Sequence, residues 1–385
     1  MVPGIALGGG PGQPSEDPTT WTCAVYVAAD NNLEMYWDGA SLDMMLDIPA
    51  SDSVSFVAFV DRLSTDGIEL VEVSEGATQV VAEYKEMNTG DGATFSFFLE
   101  VLADAYPADR TVVVVWDHGS AWSGCCVDET SGGDRISLLE MGEGIEDAGT
   151  YIDILAFDAC ACSSIELTYQ AALTGLVGKI VASEELVAGD GFPYDVMFSP
   201  LALDSGRTVD QVTHDMLDGW VDYYGSITWA WYCPMTIVDV PSVLDAKDAI
   251  TTWSGLMLAG LPDLQMNYRF ALRDSYYVSC GSHYQVDMVD LARHLLEDPA
   301  IAGNAALNDA TEQMMVAMED AIDGIFNTET TAACGGISMW WGVNNEGWRY
   351  NNELYSTLSF AEDTGWWTFL DAYNSLSSGW YANSA

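Results

Sequence analysis

An α/β fold built on a mainly parallel sheet covered by helices is what this sequence predicts, and three observations lead there. Strand-like apolar runs alternate with amphipathic helical patterns through the first half of the chain. Two of the runs, Thr111 to Val115 and Ile152 to Phe157, end abruptly in turn or helix-start chemistry. Both end at reactive side chains, and in an open parallel sheet ligands bind outside the carboxyl ends of the strands.

In chain order, residues 1–20 are rich in Gly, Pro and Ser and read as a flexible tail. Short apolar runs bounded by turn residues predict strands at 22–29, 54–60, 68–73, 78–84, 111–116, 151–157 and 178–183. Helical periodicity predicts helices between most of them, at 33–47, 94–105, 137–148 and 163–174. Beyond residue 206 helical patterns at 207–224, 241–258, 286–297, 304–325 and 363–376 surround strand candidates at 234–239 and 336–341. These read as added helices and as strands extending the same sheet. The aromatic groups Trp229 to Tyr232 and Trp366-Trp367 read as packing.

Charge narrows the setting. Among 385 residues, 59 acids face 11 Lys and Arg, a formal charge of −48, and the lysines are Lys85, Lys179 and Lys247 alone. Self-repulsion on that scale destabilises a compact state unless salt screens it, so the sequence predicts a salt-adapted surface. With no basic stripe, nucleic acid is excluded as a partner, whereas basic peptides are attracted. No run reaches the 18 apolar residues of a membrane span, and no charged n-region precedes an apolar stretch of signal-peptide length.

The strand ending Trp116-Asp117-His118-Gly119 offers a base, and the one ending Phe157-Asp158-Ala159-Cys160 offers a nucleophile. If the two strands are neighbours, His118 and Cys160 meet at one rim in the geometry of a Cys–His hydrolase. Ser163 and Glu166 have capping-box spacing, which predicts a helix starting three residues after the thiol, its positive end favouring a thiolate. A lone strand-end Cys is usually a small buried hydrophobe, and it is the conjunction with His118 that carries weight. Cys162, inside the cap region, is the local rival and is expected to pack under the helix. Asp158 shares a face with Cys160 in a strand, so its carboxylate either orients His118 or binds a cationic substrate group. Cys23, Cys125, Cys126, Cys233, Cys280 and Cys334 follow no disulfide-rich or C-x-x-C pattern, which disfavours a zinc site built from Cys125, Cys126, Cys160, Cys162 and His118. His214, His283 and His294 read as structural or solvent-facing.

The motifs Trp116-Asp-His-Gly-Ser120, Phe157-Asp-Ala-Cys160 followed by Ser164-Ile-Glu166, and Ala182-Ser-Glu-Glu185 leading to Gly189-Asp-Gly-Phe-Pro-Tyr194 resemble the clostripain family of caspase-fold cysteine peptidases. The opening strand Val25 to Glu34 and the late segment Gly336 to Trp341 are also similar, so the resemblance covers most of residues 21–345. It implies a caspase-like three-layer α/β/α sandwich with a catalytic core at 21–205 and a C-terminal region at 206–385. It implies a catalytic dyad of His118 and Cys160 and an oxyanion hole of backbone amides near Gly119 and Cys160. It also puts Asp158 at the floor of a pocket for Arg or Lys, with Asp190 as a second acidic contact unless its Gly-flanked loop is a plain turn. Relatives process themselves between the His and Cys strands, where Arg135 is the single basic residue of Gly119 to Thr150. The Gly-rich stretch around it reads as flexible and exposed.

The expectation is therefore a secreted or surface cysteine endopeptidase, monomeric, cleaving protein or peptide substrates after basic residues. The alternatives are a catalytically silent surface-binding protein of the same fold and a metal-bound structural module. A thiol dyad requires no cofactor. Calcium is compatible with the acidity and with the behaviour of relatives, although no twelve-residue EF-hand loop is present.

Overall fold

A computed structural model describes residues 19–227, 233–278, 285–343 and 346–382. The expected tail falls almost wholly at residues 1–18, which lie outside the described residues, as do Trp229 to Tyr232, Cys280 and His283.

The strands are β1 (Trp21–Ala29), β2 (Val54–Arg62), β3 (Ile68–Ser74), β4 (Ala77–Tyr84) and β5 (Arg110–Trp116), then a short hairpin of β6 (Cys125–Asp128) and β7 (Asp134–Ile136), then β8 (Ile152–Asp158), β9 (Val177–Ala182) and β10 (Met235–Asp239). Three more follow, β11 (Gln285–Asp287), β12 (Ile322–Phe326) and β13 (Ser338–Trp340). The main sheet has nine strands in the order β12-β10-β9-β8-β5-β1-β2-β3-β4. β9, β8, β5, β1 and β2 are mutually parallel, and the outer strands on either side are antiparallel.

Alternation along the central strands fills two apolar layers, as the period of two requires. Ala24, Tyr26, Val113, Val115 and Phe157 share one apolar layer with the helices Gly92–Ala105, Leu138–Ala148 and Ile165–Thr174. Val25, Val27, Val112, Val114 and Ala156 face the helices Tyr194–Leu203 and Val209–Tyr224. A sheet so covered on both sides is the expected three-layer sandwich.

Several boundaries differ from the sequence reading. The helix after Cys160 begins at Ile165 with Ser164 as its cap, because Ser163 Oγ is taken by Gly336 O at 2.6 Å. No capping box forms there, since the Glu166 carboxylate accepts from Trp340 N–H and Tyr355 Oη, both at 2.8 Å on Oε1. The pattern at 304–325 is helical only to Ala321, and its last residues form β12 on the open edge of β10. Gly324 allows that approach, since a Cβ there would lie 3.0 Å from Ile237 Cδ1. Residues 285–287 are strand, and the helix expected at 286–297 starts at Met288. The expected strand at 336–341 does not extend the main sheet. It pairs with β11 in a separate ribbon, because Glu166 and Ser163 pin its backbone above the Cys160 turn.

The interior carries unusually many acids. Burial, first among the causes, pushes Asp117 up to about 8 and Asp158 and Glu166 up to about 7. Moving a carboxyl from near 4 to near 7 disfavours its ionised form by roughly 4 kcal/mol, a large amount against a total stability of about 5–15 kcal/mol. These native values exceed the unfolded ones, so over the window between them the native state binds more protons and stability falls as pH rises. Thermal unfolding should therefore show its highest Tm in mildly acidic buffer, with a decline towards pH 8. Glu166→Gln, whose amide oxygen can keep both hydrogen bonds, should flatten part of that decline. A Tm that climbs steadily from pH 5 to 8 would contradict this account.

Candidate active site

Trp116 and Asp158 pair at the carboxyl ends of β5 and β8, and the Asp117 N–H continues the ladder to Asp158 O at 3.4 Å. His118 and Cys160 each lie two residues beyond that pair, so they leave the sheet side by side at one rim. Gly119 then crosses the Cys160 turn at close range. A Cβ on it would lie 2.1 Å from Cys160 O and 2.8 Å from Cys162 Sγ, so only glycine fits.

The half-buried His118 ring is oriented from the neighbouring strand. Its Nε2 lies 3.0 Å from Asn32 Oδ1 in the loop after β1. An amide oxygen only accepts, so Nε2 carries the hydrogen and Nδ1 remains as the basic nitrogen. That loop is tied down by Asn31, which donates to Asp117 Oδ1 at 2.7 Å and to Val127 O at 2.8 Å, while Asp117 Oδ2 accepts from Val127 N–H. Burial lowers the His118 pKa below the ordinary imidazole value, and the charge of Arg135 adds to the effect against Glu129. The ring is thus a neutral base at neutral pH.

Cys160 stands at a turn whose next residue, Ala161, has a left-handed φ of 56°. A non-glycine residue is held in that conformation only by its surroundings. Here Ala161 N–H bonds to Glu185 O at 2.7 Å and Ser163 N–H to Ser183 O at 2.9 Å, which fastens the turn to the segment after β9. The Cys160 Sγ is half-exposed and meets Val187 N–H at 3.3 Å. Cys162 is fully buried with its Sγ on Cys160 O at 3.4 Å, and burial pushes its thiol far above the ordinary range. Of the two thiols, Cys160 is the exposed one. Cys125 and Cys126 are buried thiols, and among the described residues no group of sulfur and imidazole ligands gathers as a zinc site would.

Gly119 is bridged to Cys125 through Ser120 N–H to Gly124 O at 3.0 Å and Cys126 N–H to His118 O at 3.2 Å. The bridge itself does not engage the Gly119 N–H, and the Gly119 backbone lies against Cys160. Asp158 lies below, buried, with Phe192 N–H at 2.9 Å and Tyr194 Oη at 3.1 Å both on its Oδ2. Gly191 lies directly on it, where a Cβ would meet Oδ2 at 2.7 Å. Asp158 does not orient the imidazole. Asp190 is half-buried next to Tyr223 and flanks the same segment.

Arg135 differs from its expectation. It is exposed, but it sits within β7, paired with Val127, and Gly90 packs against its backbone nitrogen. The open stretch is the hairpin tip between β6 and β7, where Gly132 and Gly133 have positive φ, so Arg135 lies in ordered strand at its edge. Sequence reasoning assigned no role to Asn32, Asp117 or the Val187 amide. The position of Asn32 just past β1 was a usable signal, since β1 neighbours β5. Val187 offered none, because a backbone N–H has no sequence signature.

Comparison with known proteins bears on this geometry. The model of the Clostripain family matches residues 25–373. Clostripain of Hathewaya histolytica is 25% identical over 226 residues, which span 48% of this chain and 43% of that protein, so the match takes in less than half of the curated relative. A secreted cysteine protease of Bacteroides thetaiotaomicron, solved with an irreversible peptide inhibitor, superposes with a TM-score of 0.69 at 16% identity over 90% of this chain and 99% of that one. An inactive zymogen protease of Parabacteroides distasonis gives the same score, identity and coverage. At such identity these two structures establish a common fold.

The close crossing at Gly119 makes a specific prediction. Gly119→Ala should displace the Cys160 turn, at about 1–3 kcal/mol or more of overpacking strain, and slow alkylation of Cys160 in the folded protein. Gly39→Ala, where a Cβ meets nothing within 4 Å, should leave Tm and alkylation unchanged. Equal alkylation rates in the two variants would remove the crossing from any role in shaping the site.

Proposed function

This chain belongs to the clostripain family, and from that premise we propose that it is a cysteine endopeptidase cutting after Arg or Lys through a dyad of His118 and Cys160. The observation that carries the proposal is the shared register of the two side chains past the Trp116–Asp158 pair, with Gly119 wedged against the thiol's own backbone. In this reading His118 Nδ1 takes the thiol proton and the sulfur attacks the scissile carbonyl. The Gly119 and Cys160 N–H groups hold the oxyanion. His118 returns the proton to the leaving amine, and water then hydrolyses the thioester. Asn32 keeps the ring in its tautomer through the 3.0 Å contact. The intact pair argues against a silent surface-binding homologue.

For specificity, the support is Asp158, whose two protein donors both fall on Oδ2, so that Oδ1 takes neither and is the oxygen offered to a guanidinium or ammonium. Asp190 adds negative charge at the same segment. Secretion is supported by the secreted Bacteroides relative, and no helix among the described residues is long and apolar enough to cross a membrane. We also read the chain as monomeric and self-processing after Arg135. The zymogen state of the Parabacteroides relative favours processing, and the pairing of β7 adds that the hairpin must open before the bond is cut.

With an Arg-containing peptide substrate, Cys160→Ala and His118→Ala should each lose activity, the latter by about 10²- to 10⁴-fold, while Cys162→Ala keeps most of it. Asp158→Asn should lower turnover of Arg substrates far more than it slows alkylation of Cys160. Intact-mass analysis of the active wild type should find a new N-terminus at Ile136 that is missing from Cys160→Ala. Activity lost in Cys162→Ala but kept in Cys160→Ala would reverse the nucleophile assignment, and a fully active single intact chain would end the processing reading alone.

A formal charge of −48 further supports salt adaptation. Folded stability should rise from about 0.1 M to molar NaCl, where the Debye length falls to roughly 3 Å. Activity on basic peptides should pass through an optimum, because the same screening weakens their attraction. A denaturation midpoint that stays flat across the range would refute the salt-adapted surface.

A further inference from the structure

Just past His118 the chain carries two adjacent thiols, Cys125 and Cys126, that the proposed reaction does not use. In a regular strand neighbouring side chains point to opposite faces, so consecutive cysteines hold their sulfurs apart. Here the two Sγ atoms stand 3.7 Å apart, in contact. The cause is a bulge. Cys125 pairs with Ile136 and Val127 with Arg135, so Cys126 is an extra residue on β6 where the register shifts, and its φ is 61°.

A left-handed backbone favours glycine, and Asn or Asp are the usual exceptions because a short polar side chain can hydrogen-bond locally. A cysteine has neither property. It does bring its sulfur onto the one beside it. Both residues are buried, at 1% and 0% exposure, in the apolar layer that also holds Trp122, Ile136 and Cys162. An S–H group is a weak donor and a thiol sulfur a weak acceptor, so the contact stabilises the bulge little as it stands. A covalent bond would hold it. Neighbouring Cα atoms lie about 3.8 Å apart, below the roughly 4.4–6.8 Å that disulfides usually span, so consecutive cysteines bond only where the backbone between them is already distorted. The bulge provides that distortion in advance.

We propose that Cys125 and Cys126 are an oxidation site that closes to a vicinal disulfide, with a low-molecular-weight disulfide of the glutathione type as oxidant. One cysteine, as thiolate, attacks a sulfur of the external disulfide and releases the first small thiol. Its neighbour's thiolate then attacks the mixed disulfide and releases the second. The protein gives up two thiol protons and two electrons, one S–S bond forms within it, and the external S–S bond is reduced to two thiols. Burial, first among the causes, holds the Cys126 thiol well above its ordinary range. Exchange therefore proceeds while the hairpin of β6 and β7 is open, and the closed fold then shields the bond.

The ring lies directly behind the rim. Cys126 N–H donates to His118 O at 3.2 Å, Gly119 is bridged to Cys125, and Val127 N–H binds Asp117 Oδ2. Closing the ring fixes the strand that backs His118 and Gly119. Since the folded backbone favours the bond, the bond favours the fold by the same factor. The inference concerns these two sulfurs and stands whether or not the chain is a peptidase.

The test uses the full chain carrying Cys160→Ala, so that neither self-cleavage nor the proposed nucleophile enters. Folded protein, and the same protein unfolded in urea, are equilibrated without air in mixtures of reduced and oxidised glutathione, quenched in acid, and labelled with N-ethylmaleimide under denaturing conditions. Trypsin, which cuts after Lys and Arg, then releases Thr111 to Arg135, a peptide holding Cys125, Cys126 and no other cysteine. From the folded chain this peptide should appear unlabelled and lighter by a pair of hydrogens. Its half-conversion should need at least about tenfold less oxidised glutathione than in the urea-unfolded chain, as linkage to folding requires. The oxidised chain should also have the higher Tm. Cys126→Gly, which keeps the left-handed φ without a Cβ, should fold and show a Tm indifferent to the glutathione ratio. A doubly labelled peptide at every ratio, a glutathione adduct in place of the ring, or a crosslink to the peptide that holds Cys162 would overturn the site. So would equal half-conversion in the folded and unfolded chains, or a glutathione-dependent Tm that persists in Cys126→Gly.

Discussion

The rim that carries His118 and Cys160 depends on one pairing, the parallel register of β5 against β8. With Trp116 opposite Asp158, the two strands end level, and the next residues of each turn out of the sheet together. A shift by one residue would send every side chain of one strand to the opposite face. The apolar layers prevent it, because Val113, Val115 and Phe157 fill one side and Val112, Val114 and Ala156 the other. The register is thus set by burial on both faces, and the positions of His118 and Cys160 follow from it. Gly119 adds a lock, since only a residue without a side chain can cross the Cys160 backbone at that range.

Around that register the protein concentrates buried acids rather than basic partners. Asp117 knits β5 to β6 and to the loop after β1, Asp158 anchors the Gly191 to Tyr194 segment beneath the thiol, and Glu166 clamps β13 and the helix ending at Tyr355 above it. Each carboxyl receives two or more donors, which is how a buried acid is tolerated without a salt bridge. Several of the chain's few cations are drawn into acidic pairs, such as the largely buried Lys179 with Asp323 at 2.5 Å and Arg62 with Glu69 at 2.8 Å. The cluster of Asp30, Asp61, Glu86 and Asp128 holds two buried oxygens with no donor, at Asp30 and Asp61, and Glu166 and Glu184 also keep buried oxygens without one.

The C-terminal region is packed into the N-terminal half rather than appended to it. Met235–Asp239 and Ile322–Phe326 complete the sheet, and Ser338–Trp340 lies against the Cys160 turn through Ser163 and Glu166. Trp340 packs on Trp122 and Tyr355, so the loop after His118 is held from the C-terminal side as well. A division at residue 205 therefore describes order in the chain and not a boundary in the core.

Sequence alone determined what depends on local period and composition. The central strands, the helices between them and the strand-end positions of His118 and Cys160 were all legible, because apolar alternation and turn chemistry are short-range signals. Tertiary structure decided what depends on competition for the same groups. Ser163 and Glu166 have capping-box spacing, yet distant backbone at Gly336 and Trp340 takes both side chains, and the helix starts later. Residues 322–326 continue a helical pattern, yet the unpaired edge of β10 recruits them as a strand. Arg135 lies in a Gly-rich stretch that reads as loose, yet pairing with Val127 holds it in β7. Asn32 against His118 and the four-carboxylate cluster join residues far apart in the chain, and no local pattern encodes such a meeting until the sheet brings its strand ends to one rim.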